Sequence, residues 1–369
     1  MSELTKEDAI YISSVFEDYF GNFERIDEYM RDQKLASLAD MPSNPLFPPE
    51  DDLFSDFSMH PNDMDFDVLD IPNSQWDTLL NITSSHINGA SPGRNLKLAV
   101  KEKNSGKFVG FIRLGSPIIN CKPRNEMLGQ VFTQSKEGAS RFNNASMMGF
   151  VIVPAQPFGY NYLGGKLLAA ICTSHKVREI CNKKYDMNLC LFETTSLYGS
   201  SKTVSQYDGM KPFIRFKGVT ESDFLPMMHG KPYEDLKNFV ESKVGMIVEE
   251  GVSSRKLKIS QRIIALTKQA LKGSTELDHF LKIIENAKSL TEQKRYYVSD
   301  YGFKNYIEYV NNQTDTLIKG ENYDKFELEN VIEWWRKKAV NRYETLKSEN
   351  RLRSELEVWT SGKQIDIIR

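Results

Sequence analysis

The sequence predicts an α+β protein in which helices flank a mixed central sheet and an all-helical region follows. Runs with strand-like patterning lie between residues 96 and 216, and helical periodicity dominates after Gly218. The 369 residues include 40% hydrophobic and 27% charged side chains, a composition typical of globular proteins with a full-sized core. We expect an acidic arm, an α/β core and a helical domain, over residues 1–71, 72–218 and 219–369, respectively.

The N-terminal arm combines a helical segment with a linker. Apolar residues recur at helical spacing within residues 6–39, which predicts one or two helices. Between Asp40 and Ile71, prolines and aspartates are interspersed with isolated aromatic residues. Because such a composition disfavours a packed element, we expect this second half to be a partly disordered linker or docking segment.

A hairpin and a buried strand predict the central sheet. Residues 96–100 and 108–114 flank a turn at Asn104-Ser105-Gly106, which favours a β-hairpin. Residues 148–153 are almost all apolar and end at Pro154, as expected of a buried central strand. The other elements expected in this region are a helix over 76–86, a loop over 155–162, a helix over 163–182 and strands over 189–194 and 212–216.

The region after Gly218 predicts four or five helices. They are expected over residues 233–249, 255–271, 275–288, 302–311 and 325–358. The segment Ser253–Lys272 has one apolar and one basic face, so it could lie along a duplex or simply pack with solvated lysines. We expect Trp334 and Trp335 to occupy core positions in the last helix.

A formal net charge of -2 conceals a strong asymmetry. Residues 1–71 contain 18 acidic and 4 basic side chains, whereas the rest of the chain contains 32 acidic and 44 basic ones. One interpretation is a solvated surface with a flexible acidic tail. The other is a body that attracts nucleic-acid phosphates and an arm that competes for the same groove. In that case, deleting residues 1–71 would tighten DNA binding at low salt.

Several classes of protein are disfavoured. No apolar run is long enough to span a membrane, and the first residues show no basic and apolar leader. The four cysteines and five histidines are scattered and form no CxxC or similar metal-ligand spacing. We therefore expect no metal, no disulfide framework, no membrane association and a reducing, cytoplasmic location.

The turn after Pro154 is the strongest candidate for an anion site. Gly159, Gly164 and Gly165 would let backbone N–H groups approach a phosphate, and the following helix N-terminus adds a partial positive charge. The spacing matches neither GxGxxG nor GxxxxGK[ST], so Rossmann and P-loop sites are set aside. Alternatively, Gly164 and Gly165 only permit close packing of a helix on the sheet.

Aromatic residues beside these glycines have two interpretations. Phe158, Tyr160 and Tyr162 could form a stacking wall for a base extruded from DNA, or they could close the core. Four further residues are candidates to bind nucleic acid, although each could also be an ordinary surface residue. They are Arg124, Asn125, Arg141 and Lys202.

Acyl transfer to an amine would need a general base, an oxyanion site and an acid for the leaving group. Glu193 ends a predicted core strand, where burial could raise its pKa, so it is the candidate base. It could instead be a structural carboxylate that caps a helix or pairs with an arginine. Tyr198 or Tyr207 could protonate the leaving group, and amides near Val151–Val153 could bind the oxyanion. Tyr207 is otherwise an ordinary loop aromatic.

The order hairpin, buried strand, glycine-containing turn, helix and strand resembles the GNAT N-acetyltransferase superfamily. In that superfamily the turn after the strand holds the diphosphate of acyl-coenzyme A. The matching segment here runs from Val153 through Gln156-Pro157-Phe158-Gly159-Tyr160-Asn161. The resemblance implies acyl-CoA as a cofactor, bound by Val153, Gly159, Tyr160, Asn161, Gly164 and Gly165.

Residues 96–218 resemble the Druantia anti-phage system A-protein family and, remotely, the Mom-type DNA-modification proteins of phages. The matching stretches are Gly110-Phe111 with Leu114-Gly115-Ser116-Pro117, Arg124-Asn125 with Met127-Leu128-Gly129, Asn143-Asn144, Phe150-Val151-Ile152-Val153-Pro154 and Leu191-Phe192-Glu193-Thr194. This chain has Arg124-Asn125 where the family has Arg-Asp, and Gly199, Tyr207 and Phe213 where it has a segment ending in Asn-Trp.

The resemblance implies a GNAT-like body that handles DNA in the cytoplasm of a bacterial or phage-infected host. One hypothesis is a transferase that modifies a DNA base with acyl-CoA or a similar donor. The other is a catalytically silent module that binds DNA, or a protein partner through the acidic arm or the helical C-terminus. A protein N-acetyltransferase is a third hypothesis.

Overall fold

The computed structural model describes residues 3–21, 34–38, 48–85, 93–118, 121–196, 205–220, 228, 230–252, 255–291 and 294–359. The chain forms two units. One comprises Met1–Tyr29 and Glu221–Gln293, and the other comprises Met30–Thr220 and Lys294–Arg369. We call them the helical unit and the sheet unit. Their boundaries differ from the three parts expected from the sequence.

The sheet unit contains a sheet whose seven described strands have the order β1-β2-β3-β4-β5-β7-β6. Only β4 and β5 pair in parallel, and all other neighbours are antiparallel. This mixed sheet with flanking helices confirms the predicted α+β class. The strands are β1 (Phe66–Leu69), β2 (Asn95–Glu102), β3 (Phe108–Gly115), β4 (Ser146–Pro154), β5 (Leu191–Thr195), β6 (Arg215–Thr220) and β7 (Lys294–Ser299).

The described helices are distributed over both units. They are α1 (Lys6–Gly21), α2 (Asn73–Thr83), α3 (Lys122–Met127), α4 (Lys136–Ala145), α5 (Phe158–Tyr162), α6 (Gly164–Cys172), α7 (His175–Tyr185), α8 (Gly230–Val244), α9 (Arg255–Ala270), α10 (Thr275–Thr291), α11 (Tyr306–Val310) and α12 (Leu328–Ser348). The helical unit contains α1 and α8 to α10. None of the helices in the described ranges is both long and apolar enough to cross a membrane.

The parallel strands β4 and β5 separate partway along their length. Their register runs from Ser146 opposite Leu191 to Gly149 opposite Thr194. Strand β4 then continues along β3 as far as Pro154. The last part of β4 is therefore paired to β3 but not to β5, and the turn into α5 begins beyond this point.

Part of the expected N-terminal linker belongs to the core of the sheet unit. Phe54, Phe57 and Phe66 are buried, and the Phe66 ring lies 5.0 Å from that of Trp335. The prolines that suggested a linker start short 3-10 helices at Pro49–Asp52 and Pro61–Asp63, where a missing N–H is tolerated. The expectation of a linker was therefore wrong for this stretch. Residues 22–33 and 39–47 lie outside the described part of the chain.

The C-terminal region is not all-helical, because β7 lies within it and pairs with both β5 and β6. Helices α8 to α10 fall between β6 and β7 in sequence. The apolar face of α9 is buried at Ile259, Ile263 and Ile264, as expected if this basic helix packs against its neighbours. The expected long helix ends at Ser348 rather than at residue 358.

Helix α1 is part of the helical unit. Its buried residues include Ile12 and Phe16, and the Phe16 ring meets that of Phe280 edge-on at 5.6 Å. Thr5 and Asp8 cap its start, since the backbone N–H of each donates to the side chain of the other, at 3.0 and 3.1 Å. Much of the acidic arm is therefore folded structure.

Candidate functional site

Glu193 lies inside the sheet unit as half of a buried ion pair. Its Oε1 is 2.9 Å from Nη1 of Arg124, and its Oε2 accepts a hydrogen bond from the Tyr296 hydroxyl at 2.7 Å. The side chains of Arg124 and Glu193 are 0% and 1% exposed. The structure therefore places the candidate base in the core, in contact with an arginine.

Arg124 is enclosed by polar and aromatic groups. It lies in the first turn of α3, and its guanidinium is 4.6 Å from the ring centre of Phe142 and 5.5 Å from that of Phe132. Its Nε and Nη2 both donate to Oδ1 of Asn125 at 3.1 Å. Arg124 and Asn125, two candidates for nucleic-acid binding, thus bond to each other beside Glu193.

Burial dominates the electrostatics of this cluster. It raises the pKa of the Glu193 carboxyl above its ordinary value, although Arg124 and the Tyr296 hydroxyl act in the opposite direction. The neighbouring Cys121 thiol has its pKa raised to about 11 by burial and by the charge of Glu193. This thiol stays protonated at neutral pH and is a poor nucleophile.

Glu193 and the glycine-containing turn lie on opposite faces of the sheet. Side chains alternate along a strand, so Thr194 points away from Glu193. Thr194 is opposite Tyr297, whose hydroxyl donates to Asp208 at 2.9 Å. Lys166 of α6 donates to the backbone carbonyl of Asp208 on that same side, at 2.6 Å. The structure does not bring the candidate base to the turn.

The amides of the turn already have partners. Gly159 and Asn161 donate to the carbonyls of Ala155 and Pro157 at 2.9 and 2.8 Å. The Tyr160 amide donates to Oε1 of Gln156 at 3.1 Å. A diphosphate that used these three donors would have to displace their present partners. Binding of acyl-CoA by the turn stays a prediction.

The glycines of α6 permit close packing. A Cβ atom on Gly164 would lie 2.6 Å from the Phe158 ring, and one on Gly165 would lie 2.4 Å from Oε1 of Gln206. Both glycines are buried. These short distances agree with the interpretation that Gly164 and Gly165 permit close packing of the helix. Val153 pairs with Phe111 in the sheet.

The segment 351–359 and α12 cover the turn. The Asn161 side chain donates to the carbonyl of Arg353 at 2.8 Å and accepts from the Arg353 amide at 3.1 Å. The Glu357 amide donates to the Gln156 carbonyl at 2.9 Å, and the Trp335 indole donates to the Tyr162 carbonyl at 2.8 Å. Sequence reasoning missed this contact because nothing local links residues so far apart.

Tyr207 is buried on the turn's side of the sheet. Burial raises its pKa to about 12, against hydrogen bonds with the side chains of Thr194 and Gln206. Its ring meets that of Tyr297 edge-on at 5.2 Å. Tyr207 is therefore a protonated phenol at neutral pH, on the face opposite to Glu193. The other candidate acid, Tyr198, lies outside the described residues.

Arg141, in α4, contacts helix α11 and the loop that follows it. Its Nε donates to the Tyr309 carbonyl at 3.1 Å and its Nη2 to the Thr314 carbonyl at 2.7 Å. The guanidinium lies 3.8 Å from the ring centre of Tyr309, and Asp315 forms an ion pair with it. The fourth nucleic-acid candidate, Lys202, lies outside the described residues.

The three aromatic residues near the glycines separate into core and surface. Phe158 and Tyr162 are fully buried. Tyr160 is partly exposed, and the guanidinium carbons of Arg342 and Arg353 lie 4.8 and 4.4 Å from its ring centre. The sequence analysis did not identify these arginines as candidates. They lie near each other along the chain, but nothing in the sequence places them beside Tyr160.

No metal centre is evident in the described ranges, since no group of three or more His, Cys, Asp or Glu side chains is placed to hold an ion. The expectation that the protein has no metal stays a prediction.

The central region of the chain is similar to a known protein family. A family model described as Druantia protein DruA matches residues 71–208. The Druantia protein DruA of Escherichia coli (strain UMEA 4076-1) is 28% identical over 142 residues, which cover 35% of this chain and 34% of that protein. The match thus spans about a third of the relative's length. No solved structure matches the chain. The resemblance to the Druantia A-protein family is confirmed for residues 71–208, which are similar to Druantia protein DruA.

Proposed function

We propose that this chain is a DNA-binding protein of GNAT-like fold that acts in phage defence. The resemblance to Druantia protein DruA supports the defence context. The single parallel pair β4–β5, which separates after Gly149 and Thr194, supports the GNAT-like assignment. The remote relationship to Mom-type proteins belongs to the same proposal.

The charge of the central region carries the DNA-binding proposal. Residues 72–220 contain 19 lysines and arginines but 8 aspartates and glutamates. Such an excess attracts the phosphate backbone and releases its counterions. Some of the cations are internal, as Arg124 is, but many lysines of this region are exposed. These are Lys103, Lys122, Lys136, Lys176, Lys183, Lys184, Lys211 and Lys217.

Titration of labelled DNA with the full chain at several salt concentrations tests this function. We expect the logarithm of the binding constant to fall linearly with the logarithm of the salt concentration, because each neutralised phosphate releases a counterion. Binding that is absent at low salt, or that does not respond to salt, would contradict the proposal.

A second candidate is a transferase that modifies DNA with acyl-CoA or a similar donor. The favouring observation is that Glu193, a carboxyl with a raised pKa, lies beside the point where β4 and β5 separate. The Glu193 side chain is 1% exposed and bonded to Arg124 and Tyr296, so the surrounding side chains would have to move before a substrate could reach it and give up a proton.

Mass spectrometry of nucleosides from DNA co-expressed with the chain separates the two candidates. A nucleoside of added mass that disappears in a Glu193→Gln variant, but persists in a Glu126→Gln variant at an exposed site, would favour the transferase. If no nucleoside is modified, the transferase is contradicted and the DNA-binding function remains the proposal. Turnover of acyl-CoA on peptides without DNA would instead favour the protein N-acetyltransferase.

The proposed competition between the acidic arm and DNA needs a test without deletion. Removing residues 1–71 would also remove α1, β1 and five core phenylalanines. Replacing the exposed Asp51 and Asp63 by asparagine keeps the fold and lowers the negative charge. We expect tighter DNA binding at low salt, and unchanged affinity would show that these carboxylates do not compete. Whether the arm or the helical unit also engages a protein partner stays a proposal.

A further inference from the structure

We propose that Lys338, Arg342, Arg351 and Arg353 form a phosphate-binding surface around Tyr160, which we call the arginine comb. The proposal rests on the DNA-binding function proposed above and identifies the surface that meets the sugar–phosphate backbone. These four cations come from α12 and from the segment that follows it, outside the region of DruA resemblance.

Tyr160 contacts all three arginines of the comb. Arg342 and Arg353 stack on the Tyr160 ring at 4.8 and 4.4 Å. Nη2 of Arg351 lies 3.3 Å from the Tyr160 hydroxyl, and Nε of Arg342 donates to the Tyr160 carbonyl at 3.3 Å. The paired bonds between Asn161 and Arg353 fix the backbone beside them. The guanidinium groups are therefore held in place before any ligand arrives.

The positive surface extends along α12. Lys338 lies one helical turn before Arg342 and so projects from the same face. Its ammonium group lies 5.3 Å from the ring centre of Trp334. Burial, and after it the charge of Lys338, lowers the pKa of the Lys166 ammonium group.

Two carboxylates moderate the charge of the comb. Glu349 pairs with Arg351 at 2.6 Å, and Glu357 pairs with Arg353 at 2.9 Å. Among the described residues, Arg342 and Lys338 form no ion pair with a carboxylate. An incoming phosphate can therefore meet these two cations directly, whereas Arg351 and Arg353 must exchange a carboxylate for it. Arginine suits this exchange because its planar fork binds phosphate bidentately.

The geometry favours recognition of phosphate over recognition of bases. Two guanidinium groups lie over the Tyr160 ring, at 4.8 and 4.4 Å from its centre, so a base that stacked on the ring would have to compete with them. The ring instead restricts rotation of long side chains, whose immobilisation would otherwise oppose binding. We therefore assign the comb to the nucleic-acid backbone, with little dependence on sequence and with duplex and single strand both accepted.

The test compares two charge-matched double variants of the full chain. Arg342→Gln with Arg353→Gln removes two cations from the comb. Lys304→Gln with Lys319→Gln removes two exposed cations elsewhere in the sheet unit, one of which also lies over an aromatic ring, 4.2 Å from that of Tyr323. The probes are labelled 20-nucleotide duplexes and single strands of unrelated sequence.

At about 0.1 M salt we expect the comb variant to bind the duplex at least about tenfold more weakly than the unmodified chain. The salt slope should fall by about 0.9 for each lost phosphate contact. The control variant should change affinity less than about threefold. A Tyr160→Leu variant keeps every charge but frees the arginines, so we expect weaker binding with an unchanged salt slope.

The possible failures are distinguishable. If the unmodified chain binds DNA but the comb and control variants behave alike, the comb is wrong and the proposed function stands. If the unmodified chain binds no DNA, the proposed function fails and the comb with it. A strong preference for one sequence among probes of equal length would contradict recognition of the backbone. Unchanged binding by Tyr160→Leu would contradict the positioning role of the ring.

Discussion

Arginine meets an aromatic ring in two very different places in the sheet unit. Arg124 lies 4.6 Å from the Phe142 ring, and Arg353 lies 4.4 Å from the Tyr160 ring. The side chain of Arg124 is 0% exposed, whereas that of Arg353 is 42% exposed. Since the ring distances are nearly equal, access to water, and not the ring contact, decides whether the cation is available to a ligand.

The two environments make opposite energetic demands. A buried charge loses its hydration, so Arg124 requires partners such as Glu193, Asn125 and the Ile118 carbonyl. An exposed cation remains solvated and gains little from a carboxylate neighbour. Glu357 can therefore leave Arg353 with little loss, which a phosphate would offset.

Arg295 is intermediate between these cases. Its guanidinium lies 4.6 Å from the Phe216 ring, its Nη2 is 3.1 Å from Asp208, and its side chain is 23% exposed. Phe216 itself is 46% exposed. Three arginines with similar ring contacts thus cover the range from fully enclosed to largely solvated, and substitution should separate them.

The largest effect is expected at the buried pair. Arg124→Met leaves the Glu193 carboxylate without its ionic partner in the core, and Glu193→Gln leaves the guanidinium uncompensated. Each should lower the free energy of unfolding by about 3–5 kcal/mol. Urea denaturation followed by circular dichroism measures this loss.

A double variant provides the control for this prediction. Replacing Arg124 by Met and Glu193 by Leu together removes both charges, so it should lose much less stability than the sum of the two single variants. Additive losses would mean that the two side chains are not coupled, and the contrast with the comb would lose its basis.

The comb should respond in binding but hardly in stability. Replacing Arg342 and Arg353 by glutamine breaks contacts of partly exposed groups, so we expect the free energy of unfolding to change by about 1 kcal/mol or less. The same urea experiment measures it. A loss as large as that of Arg124→Met would show that these arginines, too, are structural.

An effect on stability that is also small, and that depends on pH, is expected at Asp208, the partner of Arg295. Burial acts to raise the pKa of the Asp208 carboxyl, but hydrogen bonds from the Ser205 amide, Tyr297 and Arg295 outweigh it, and the pKa lies below its ordinary value. Its stabilising contribution is therefore present above the unfolded pKa of about 3.9 and is lost as the pH falls through the lower folded value.

An Asp208→Asn variant should accordingly be less stable than the unmodified chain by about 1 kcal/mol at neutral pH. The difference should shrink as the pH falls below about 4, where the native carboxyl takes up its proton. Urea midpoints measured between neutral and acidic pH test this, and a difference that stays constant with pH would contradict the assigned partners.

Helices and strands with strong hydrophobic patterns could be predicted from the sequence. Breaks within helices, and a short strand with a weak pattern, could not. The hairpin β2–β3 and strand β4 follow from alternation and apolar runs. The helix expected over 163–182 is two helices, because the hydroxyls of Thr173 and Ser174 bond to the carbonyls of Ala170 and Ile171 and end the first one. Strand β1 was missed because its four residues lie in an aspartate-rich stretch.

The candidate site shows the same limit. That Glu193 lies in a core strand could be seen in the sequence, but its partner Arg124 is 69 residues away and no periodicity links them. The arginines on Tyr160 lie 182 to 192 residues from the turn. Which sheet face a strand residue occupies depends on register, and register is set by tertiary pairing.

The central claim is that exposure separates the arginines that meet DNA from those that hold the fold. Phenylglyoxal modification of arginine side chains, read by mass spectrometry with and without a 20-base-pair duplex, tests it most directly. We expect Arg342 and Arg353 to react in the free chain and to be protected by DNA, and Arg124 to be unreactive in both states. Equal reactivity of Arg342 and Arg353 with and without bound DNA, or reaction of Arg124 that DNA suppresses, would contradict the claim.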